Sequence, residues 1–226
     1  MIPAETGRDP LLRLEEVSKA YRTGSSPTVV LEDVNLAIGP GEKASLIGPS
    51  GSGKSTLLSL IAGLLRTDTG HVVIGGVATD ALGDTARAAL RAEKIGVVLQ
   101  SDNLIPFLTA AENVELAMGF TGRNRSRSRV GELLAELDVA HRADHLPRQL
   151  SGGEAQRVAV AVALANEPDL LLADEIVGQL DSSTADRVAD FVFGLEMAVL
   201  FVTHDRELAQ RADLRLRLVD KSVVPQ

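Results

Sequence analysis

Short runs of apolar residues alternate along the chain with longer stretches in which apolar positions recur at helical spacing. The runs predict strands and the periodic stretches predict helices. The predicted strands are Leu11–Val17, Val29–Ile38, Lys43–Ile47, His71–Ile74, Ile95–Leu99, Leu170–Ala173, Ala198–Val202 and Leu214–Val219. The predicted helices are Ser55–Leu65, Thr85–Glu93, Ala110–Met118, Val130–Leu137, Glu154–Ala165, Ser183–Leu195 and Arg206–Ala212. This alternation favours an α/β fold with a mostly parallel sheet and helices on both faces.

The middle of the chain, about residues 103–150, breaks the alternation. Its patterns are helical, and a polar, arginine-rich tract, Gly122–Arg129, separates them. Residues 24–27 read as a loop between the first two strands. The pattern therefore predicts one domain over residues 1–226, in which a core of residues 1–102 and 151–226 carries a helical subdomain at about 103–150.

Composition narrows the class of protein. Of the 226 residues, 45% are hydrophobic and 24% charged, as in soluble globular proteins. The chain has no cysteine, which excludes disulfides and thiolate sites, and its net charge of −8 argues against non-specific binding of nucleic acid. The first ten residues lack an apolar run, so we expect no signal peptide. Apolar stretches such as Leu57–Leu65 are about half a membrane span, so we expect a soluble protein.

A glycine-rich segment between a predicted strand and a predicted helix fits the pattern G-x-x-x-x-G-K-[ST]. We call this segment the phosphate loop; it consists of Gly48, Pro49, Ser50, Gly51, Ser52, Gly53, Lys54, Ser55 and Thr56. Glycines let successive backbone N–H groups converge on phosphate oxygens, and the helix start adds its positive dipole end. Lys54 is predicted to contact the β- and γ-phosphates and Ser55 to bind Mg²⁺. The alternative is a Gly/Ser-rich surface turn.

Two carboxylates end the apolar strand that begins at Leu170. The final acids of a buried strand lie at the carboxyl edge of the sheet, where nucleotides bind. Asp174 is predicted to hold Mg²⁺, through water, and Glu175 to polarise the attacking water. The alternative is a pair of solvated acids. The phosphate loop upstream favours the catalytic interpretation.

The segment Leu150–Arg157, which we call the signature segment, begins Leu-Ser-Gly-Gly and resembles the signature of the ABC ATPase family. Ser151 and the amides of Gly152 and Gly153 lie at a predicted helix start and form a second candidate anion site. The alternative is a helix cap, with Ser151 as N-cap and Glu154 completing a capping box. The order of phosphate loop, signature segment and Asp-Glu strand end is the family's order.

Further matches extend the resemblance over nearly the whole chain. It implies that Tyr21, after the first strand, contacts adenine and that Gln100 reaches Mg²⁺ and the attacking water. It implies that Asp181 contacts a partner subunit and that His204 lies near the γ-phosphate. Each has a simpler interpretation: a loop aromatic for Tyr21, a polar strand end for Gln100, a cap or surface residue for His204. The segment Gln100–Val114 resembles the lipoprotein-release and macrolide-export subgroup.

The resemblance implies a P-loop NTPase core with an N-terminal antiparallel β part and the inserted helical subdomain. It implies magnesium-dependent ATP hydrolysis by a head-to-tail dimer, in which two copies of the chain sandwich ATP. A transmembrane permease subunit would be the second partner, nucleic acid would not be one, and the chain would lie in the cytoplasm on the inner face of the membrane. Export, or release of lipoproteins or peptides, is the function that this implies.

Two departures from the family stand out. Between the catalytic glutamate and the following Leu-Asp, relatives usually carry Pro-Thr, and this chain has a different sequence at residues 176–179. We expect this change to affect communication between subunits more than hydrolysis. The stretch from Asp181 to His204 is shorter than in relatives, so we expect a shortened helix or turn before Ala198.

Alternatives remain open at this point. An arginine cluster is predicted to be a solvated loop, with a membrane- or partner-facing patch as the alternative; it comprises Arg123, Arg125, Arg127 and Arg129. A non-transport ABC ATPase with ATP-dependent dimerisation is the second functional class, acting in mechanotransmission or, as a soluble protein, in DNA repair or translation. The acidic charge and the absence of a coiled coil or a second ATPase domain argue against a role in DNA repair or translation. A degenerate regulatory subunit is the third, and intact Glu175, Gln100 and His204 argue against that.

Overall fold

The computed structural model describes residues 9–23, 26–100, 103–121, 127–176 and 182–226. The chain divides into two compact units. Unit one comprises residues up to 88 together with 197–226, and unit two comprises residues 89–196. None of the described helices combines the length and apolar character that a membrane crossing requires.

Unit one is mostly β-structure. Its strands are β1 (Leu12–Thr23), β2 (Ser26–Ile38), β3 (Lys43–Ile47), β4 (Thr69–Ile74), β5 (Val77–Ala78), β8 (Ala198–Val202), β9 (Leu214–Val219) and β10 (Ser222–Pro225). Its helices are α1 (Lys54–Ile61) and α7 (Arg206–Gln210). One antiparallel sheet has the order β2-β1-β4-β5. A second group has β3 parallel to both β8 and β9, with β10 antiparallel to β9.

The core of unit one follows from the alternation along its strands. Leu12, Leu14, Leu36 and Ile38 of the antiparallel sheet are buried. Helix α1 buries its own apolar side, which consists of Leu57, Leu58, Leu60 and Ile61. Because β3 is buried along its length, it holds the start of the phosphate loop on a rigid strand end.

Unit two is mostly helical. Helix α2 (Asp84–Lys94) begins in unit one and ends in unit two. The other elements of unit two are β6 (Ile95–Val98), α3 (Ala110–Gly119), α4 (Arg127–Glu136), two 3₁₀ turns (Ala140–Arg142 and Pro147–Gln149), α5 (Gly152–Leu164), β7 (Leu170–Asp174) and α6 (Ser182–Gly194). Strands β6 and β7 run parallel, with Val98 opposite Ala173.

Helix α5 packs unusually close to β6. A Cβ atom added to Gly96 would lie 2.5 Å from the carbonyl oxygen of Ala163, a separation that real Cβ atoms do not show. Glycine at position 96 therefore lets the backbone of β6 touch the backbone of α5.

Strands β1 and β2 are longer than predicted, and two expectations were wrong as a result. Tyr21 lies inside β1, not after it, and Ser26 and Pro27 lie inside β2, not in the loop between the strands. The two strands stay paired as far as Thr23 and Ser26, so tertiary pairing overrides the local turn signal. Strand β2 is the edge of its sheet, where a proline is tolerated.

Helix α1 is shorter than predicted. It ends at Ile61, not Leu65, because Gly63 follows with a φ of 65°, a left-handed conformation that terminates helices. The pattern also missed two short strands, β5 and β10. Helix α6 ends at Gly194 and β8 begins at Ala198, so the connection is as short as the sequence predicted.

Candidate functional site

The phosphate loop depends on glycine at three positions. Gly53 is the N-cap of α1 with a φ of 109°, and a Cβ there would lie 2.7 Å from Cγ1 of Val30. A Cβ on Gly48 would lie 2.8 Å from the carbonyl oxygen of Leu218. Gly51 has a φ of 75° with open space around it. The loop conformation is therefore specified both by backbone angle and by close packing.

The Lys54 ammonium group lies folded over the phosphate loop. Its side chain is buried, and Nζ donates to the carbonyl oxygens of Gly48 and Pro49, each at 2.9 Å. The hydroxyl oxygen of Ser52 is also buried and has no hydrogen-bond partner among the described residues. A buried ammonium and an unsatisfied hydroxyl within one Gly-rich turn offer donors that phosphate oxygens satisfy.

Tyr21 lies beside the start of α1. Its hydroxyl oxygen is 3.5 Å from Oγ1 of Thr56, and 38% of the residue remains exposed. Tyr21 is far from Thr56 in sequence, and the pairing of β1 with β2 and β4 places its side chain beside the phosphate loop. The structure thus brings Tyr21 to the phosphate loop, and its contact with adenine stays a prediction.

His204 follows β8 and is exposed. It does not cap helix α7, because Asp205 is the N-cap and accepts from the backbone N–H groups of Glu207 and Leu208. His204 lines the same cavity as Gly48 and Pro49, so unit one places the predicted γ-phosphate residue near the start of the phosphate loop.

The two acids at the end of β7 lie in different environments. Asp174 is the last residue of the strand and is buried. Glu175 has a φ of 54°, a left-handed conformation that costs a residue other than glycine about 1–3 kcal/mol. Oε2 of Glu175 accepts a hydrogen bond from Nε2 of Gln100 at 3.2 Å. The structure therefore joins two predicted catalytic residues that are far apart in sequence.

Two asparagines, Asn103 and Asn113, bind the backbone near Gln100, and this role was predicted for neither. The side chain of Asn103 accepts from the N–H of Leu99 and donates to the same residue's carbonyl oxygen. Asn113 is buried; its Oδ1 accepts from the N–H of Ile105, and its Nδ2 donates to backbone carbonyls at Ile105, Leu108 and Thr109. The position of Asn113 in the first turns of a predicted helix was a sequence signal for such side-chain to backbone hydrogen bonds.

The signature segment forms the capping box that its sequence allows. Ser151 is the N-cap of α5, its hydroxyl accepts from the N–H of Glu154 at 3.2 Å, and the Glu154 carboxylate accepts from the N–H of Ser151 at 2.7 Å. Ser151 and Gly152 remain exposed. The structure thus contains the cap, and the exposed helix start leaves the predicted anion site accessible.

Arg142 supports this cap, a contact that no sequence pattern predicts. Its Nε lies 2.7 Å from Oε1 of Glu154. Hydrogen bonds from the Ser151 backbone and then from the Arg142 guanidinium lower the pKa of Glu154 from 4.5 to about 2. The carboxylate at the start of the signature helix is therefore ionised throughout the physiological range.

This pKa shift predicts a pH-dependent contribution to stability. Because the folded-state pKa lies below 4.5, ionised Glu154 stabilises the fold above pH 4.5, and that stabilisation is lost as the pH falls from 4.5 towards 2. We expect Glu154→Gln to lower the free energy of unfolding by about 1 kcal/mol at pH 7, with a smaller difference at pH 3. Urea unfolding at both pH values measures this. Glu196→Gln, at an exposed position, is the control, and equal losses at both pH values would contradict the assignment.

Some predicted residues lie outside the part of the chain that the structure describes. These are Asp181, residues 177–179 of the unusual loop, Arg123 and Arg125. The prediction that the arginine tract is a loop is wrong at its end, since α4 begins at Arg127. Nη1 of Arg129 lies 3.6 Å from the carboxylate of Glu132 and 3.7 Å from that of Glu136, so Arg129 forms ion pairs within α4.

The chain is similar to known proteins over most of its length. The family model described as ABC transporter matches residues 31–178. The lipoprotein-releasing system ATP-binding protein LolD of Nitrobacter hamburgensis is 45% identical over 222 residues, which cover 95% of each chain. The uncharacterized ABC transporter ATP-binding protein YbbA of Escherichia coli K12 is 44% identical over 225 residues, which cover 97% of each.

The fold has close relatives among solved structures. The dimeric structure of a post-hydrolysis state of the ATP-binding cassette MJ0796, bound to ADP and Pi, superposes with a TM-score of 0.90. It is 41% identical in sequence, with 94% of this chain and 96% of that chain covered. The predicted α/β P-loop fold is thereby confirmed, and the chain belongs to the ABC transporter family as an ATP-binding, ATP-hydrolysing subunit.

Proposed function

We propose that this ATPase drives a separate membrane-spanning subunit, in export or in the release of lipoproteins or peptides. The observation that carries the proposal is the full-length likeness to an ATP-binding protein of a lipoprotein-releasing system. In this proposal the partner chain supplies the membrane spans and holds this subunit at the inner face of the membrane.

In the proposed mechanism, the phosphate loop holds the β- and γ-phosphates of ATP with its backbone N–H groups and the Lys54 ammonium. Glu175 orients the attacking water and accepts its proton, while Gln100 fixes the Glu175 carboxylate through the hydrogen bond at 3.2 Å. His204 contributes near the γ-phosphate. Positioning and charge stabilisation then supply most of the catalysis, as in other phosphoryl transfers.

A magnesium ion fits the donor atoms that the chain offers. The residues proposed to hold it are Ser55, Asp174 and Gln100, whose hydroxyl, carboxylate and amide oxygens are the hard ligands that Mg²⁺ prefers. When bound, the ion neutralises the charge that develops on the phosphates.

We further propose that two copies of the chain sandwich ATP head to tail. The exposed start of α5, at Ser151 and Gly152, can offer its amides to the γ-phosphate held by the other copy. Tyr21 would contact the adenine, and Asp181 would contact the second copy. Binding energy then shifts an open–closed equilibrium that the membrane partner can use.

An exposed phenylalanine offers a surface for that membrane partner. Phe107 is 77% exposed, and Asn113 binds the backbone on either side of it, at Ile105 and Leu108. We expect Phe107→Ala to reduce recovery of the co-expressed membrane subunit about tenfold, with unchanged basal ATP hydrolysis.

Affinity purification from membranes, followed by identification of the co-purified chains, measures this effect. Leu64→Ala, which truncates an exposed apolar residue of unit one, is the matched control. Recovery of ribosomes or nucleic acid in place of a membrane protein would support the non-transport alternative and contradict the proposal.

A further inference from the structure

A cavity of about 580 Å³ lies on unit one beside the phosphate loop, and it shares Gly48, Pro49 and His204 with the residues assigned to ATP. Four parts of the chain line it. They are the end of β3 with the first residues of the phosphate loop, the segment from Thr203 to Gln210, the outward face of β9, and Gln226. The volume falls in the range of sites that bind small molecules.

The cavity is basic because of how β9 alternates. Leu216 and Leu218 are buried, so Arg215 and Arg217 share the opposite, exposed face of the strand and both line the cavity. Arg206 lines it from the start of α7. None of these three arginines forms an ion pair with a described residue.

No aspartate or glutamate is among the residues that line the cavity. The nearest carboxylate along the chain, Asp205, accepts hydrogen bonds from the backbone N–H groups of Glu207 and Leu208 and so serves helix α7. Three guanidinium groups therefore share one wall without an acidic partner in it, in a chain whose net charge is −8. The cluster is a local feature and not part of a general basic field.

The arginines that line the cavity indicate which class of ligand it would bind. Guanidinium groups stay charged and bind phosphate oxygens in pairs through parallel N–H donors, which makes several neighbouring arginines suited to a multivalent phosphate. The lining contains no Phe, Tyr or Trp and one imidazole, His204, so it offers little surface on which a base would stack. The phosphates, not a nucleobase, would be recognised.

We propose that this cavity binds a small polyphosphate anion, such as pyrophosphate, triphosphate or the phosphate end of a nucleotide, at a site that adjoins the phosphate loop. The two sites share a wall at Gly48 and Pro49, and His204 faces the cavity. An anion bound there would therefore contact the residues that begin the phosphate loop.

The test uses the full chain carrying Lys54→Ala, which removes the main cation of the phosphate loop. Titration calorimetry with inorganic triphosphate at low salt measures binding to what remains. We expect saturable binding, weakened at least about tenfold when Arg215→Gln and Arg217→Gln are added, because two charge-assisted pairs are lost. Lys221→Gln is the matched control: it removes one positive charge from the β9–β10 turn, outside the cavity lining, and should change the affinity less than twofold.

Two outcomes would overturn the proposal. One is no measurable triphosphate binding in the Lys54→Ala protein, and the other is equal affinity with and without the two arginines. A titration with ATP separates the sources of the phosphate: equal affinity for ATP and triphosphate supports recognition of phosphates alone, and tighter binding of ATP supports a nucleotide ligand. Magnesium-dependent ATP hydrolysis by the Arg215→Gln/Arg217→Gln protein with intact Lys54 should stay at the wild-type rate. The proposal for the cavity can therefore be contradicted while the proposed ATPase function stands.

Discussion

We expect Glu175→Gln to lower the rate of ATP hydrolysis at least about a hundredfold while ATP-dependent dimerisation persists. Glutamine keeps the size of the side chain and can hold the left-handed backbone at φ 54° as well as glutamate does. It removes the negative charge that would accept the proton of the attacking water. The Gln100 amide would still face an amide oxygen, so the change affects the chemical step more than the local geometry.

Steady-state phosphate release and sedimentation with ATP measure the two effects separately. Glu167→Gln is the matched control, because Glu167 is also in unit two and has a φ of 51°. It should retain wild-type hydrolysis. Near-wild-type turnover by Glu175→Gln would remove Glu175 from the catalytic role, and loss of dimerisation together with hydrolysis would indicate misfolding or loss of nucleotide binding.

The second large effect concerns the backbone of the phosphate loop. Gly53→Ala should weaken ATP binding about a hundredfold. The new methyl group would lie 2.7 Å from Cγ1 of Val30, and alanine would have to adopt a φ of 109°. Left-handed strain and overpacking each cost about 1–3 kcal/mol, and the loop can relieve both by moving away from the geometry that binds phosphate.

Two other glycines separate the causes. Gly51→Ala meets open space but keeps the unfavourable φ of 75°, so we expect an intermediate loss of affinity from backbone strain alone. Gly83→Ala meets open space without a left-handed φ and should bind ATP like the wild type. Binding of a fluorescent ATP analogue measures all three, and wild-type affinity in Gly53→Ala would show that the loop tolerates a side chain there.

Much of the nucleotide site was predictable from sequence because its physics is local. The phosphate loop needs glycines next to a lysine and a serine in a fixed order, and a buried strand before it, and β3 has the predicted bounds. The capping box at Ser151 and Glu154 also lies within one helical turn. The geometry of residues this close in sequence is set mainly by the local backbone, so a sequence pattern can predict it.

Features that depend on distant residues were not predictable in the same way. The length of β1 comes from pairing with β2, and the Arg142–Glu154 contact joins a 3₁₀ turn to a helix. Gly63 was a sequence signal for the early end of α1. A glycine inside an apolar periodic stretch does not by itself predict a left-handed conformation, however, so the signal was ambiguous. The alternation of Arg215 and Arg217 with leucines was visible too, yet only the folded chain shows that both arginines face a cavity.

The contact at Gly96 has a mechanical consequence. Strand β6 leads directly to Gln100, and helix α5 begins with the signature segment, so the glycine joins the backbones that carry these two sites. Close-packed backbones transmit displacement with little compliance. A displacement of the first turn of α5 would therefore reach Gln100, whose amide binds Glu175, through directly packed backbone and without passing through a flexible linker.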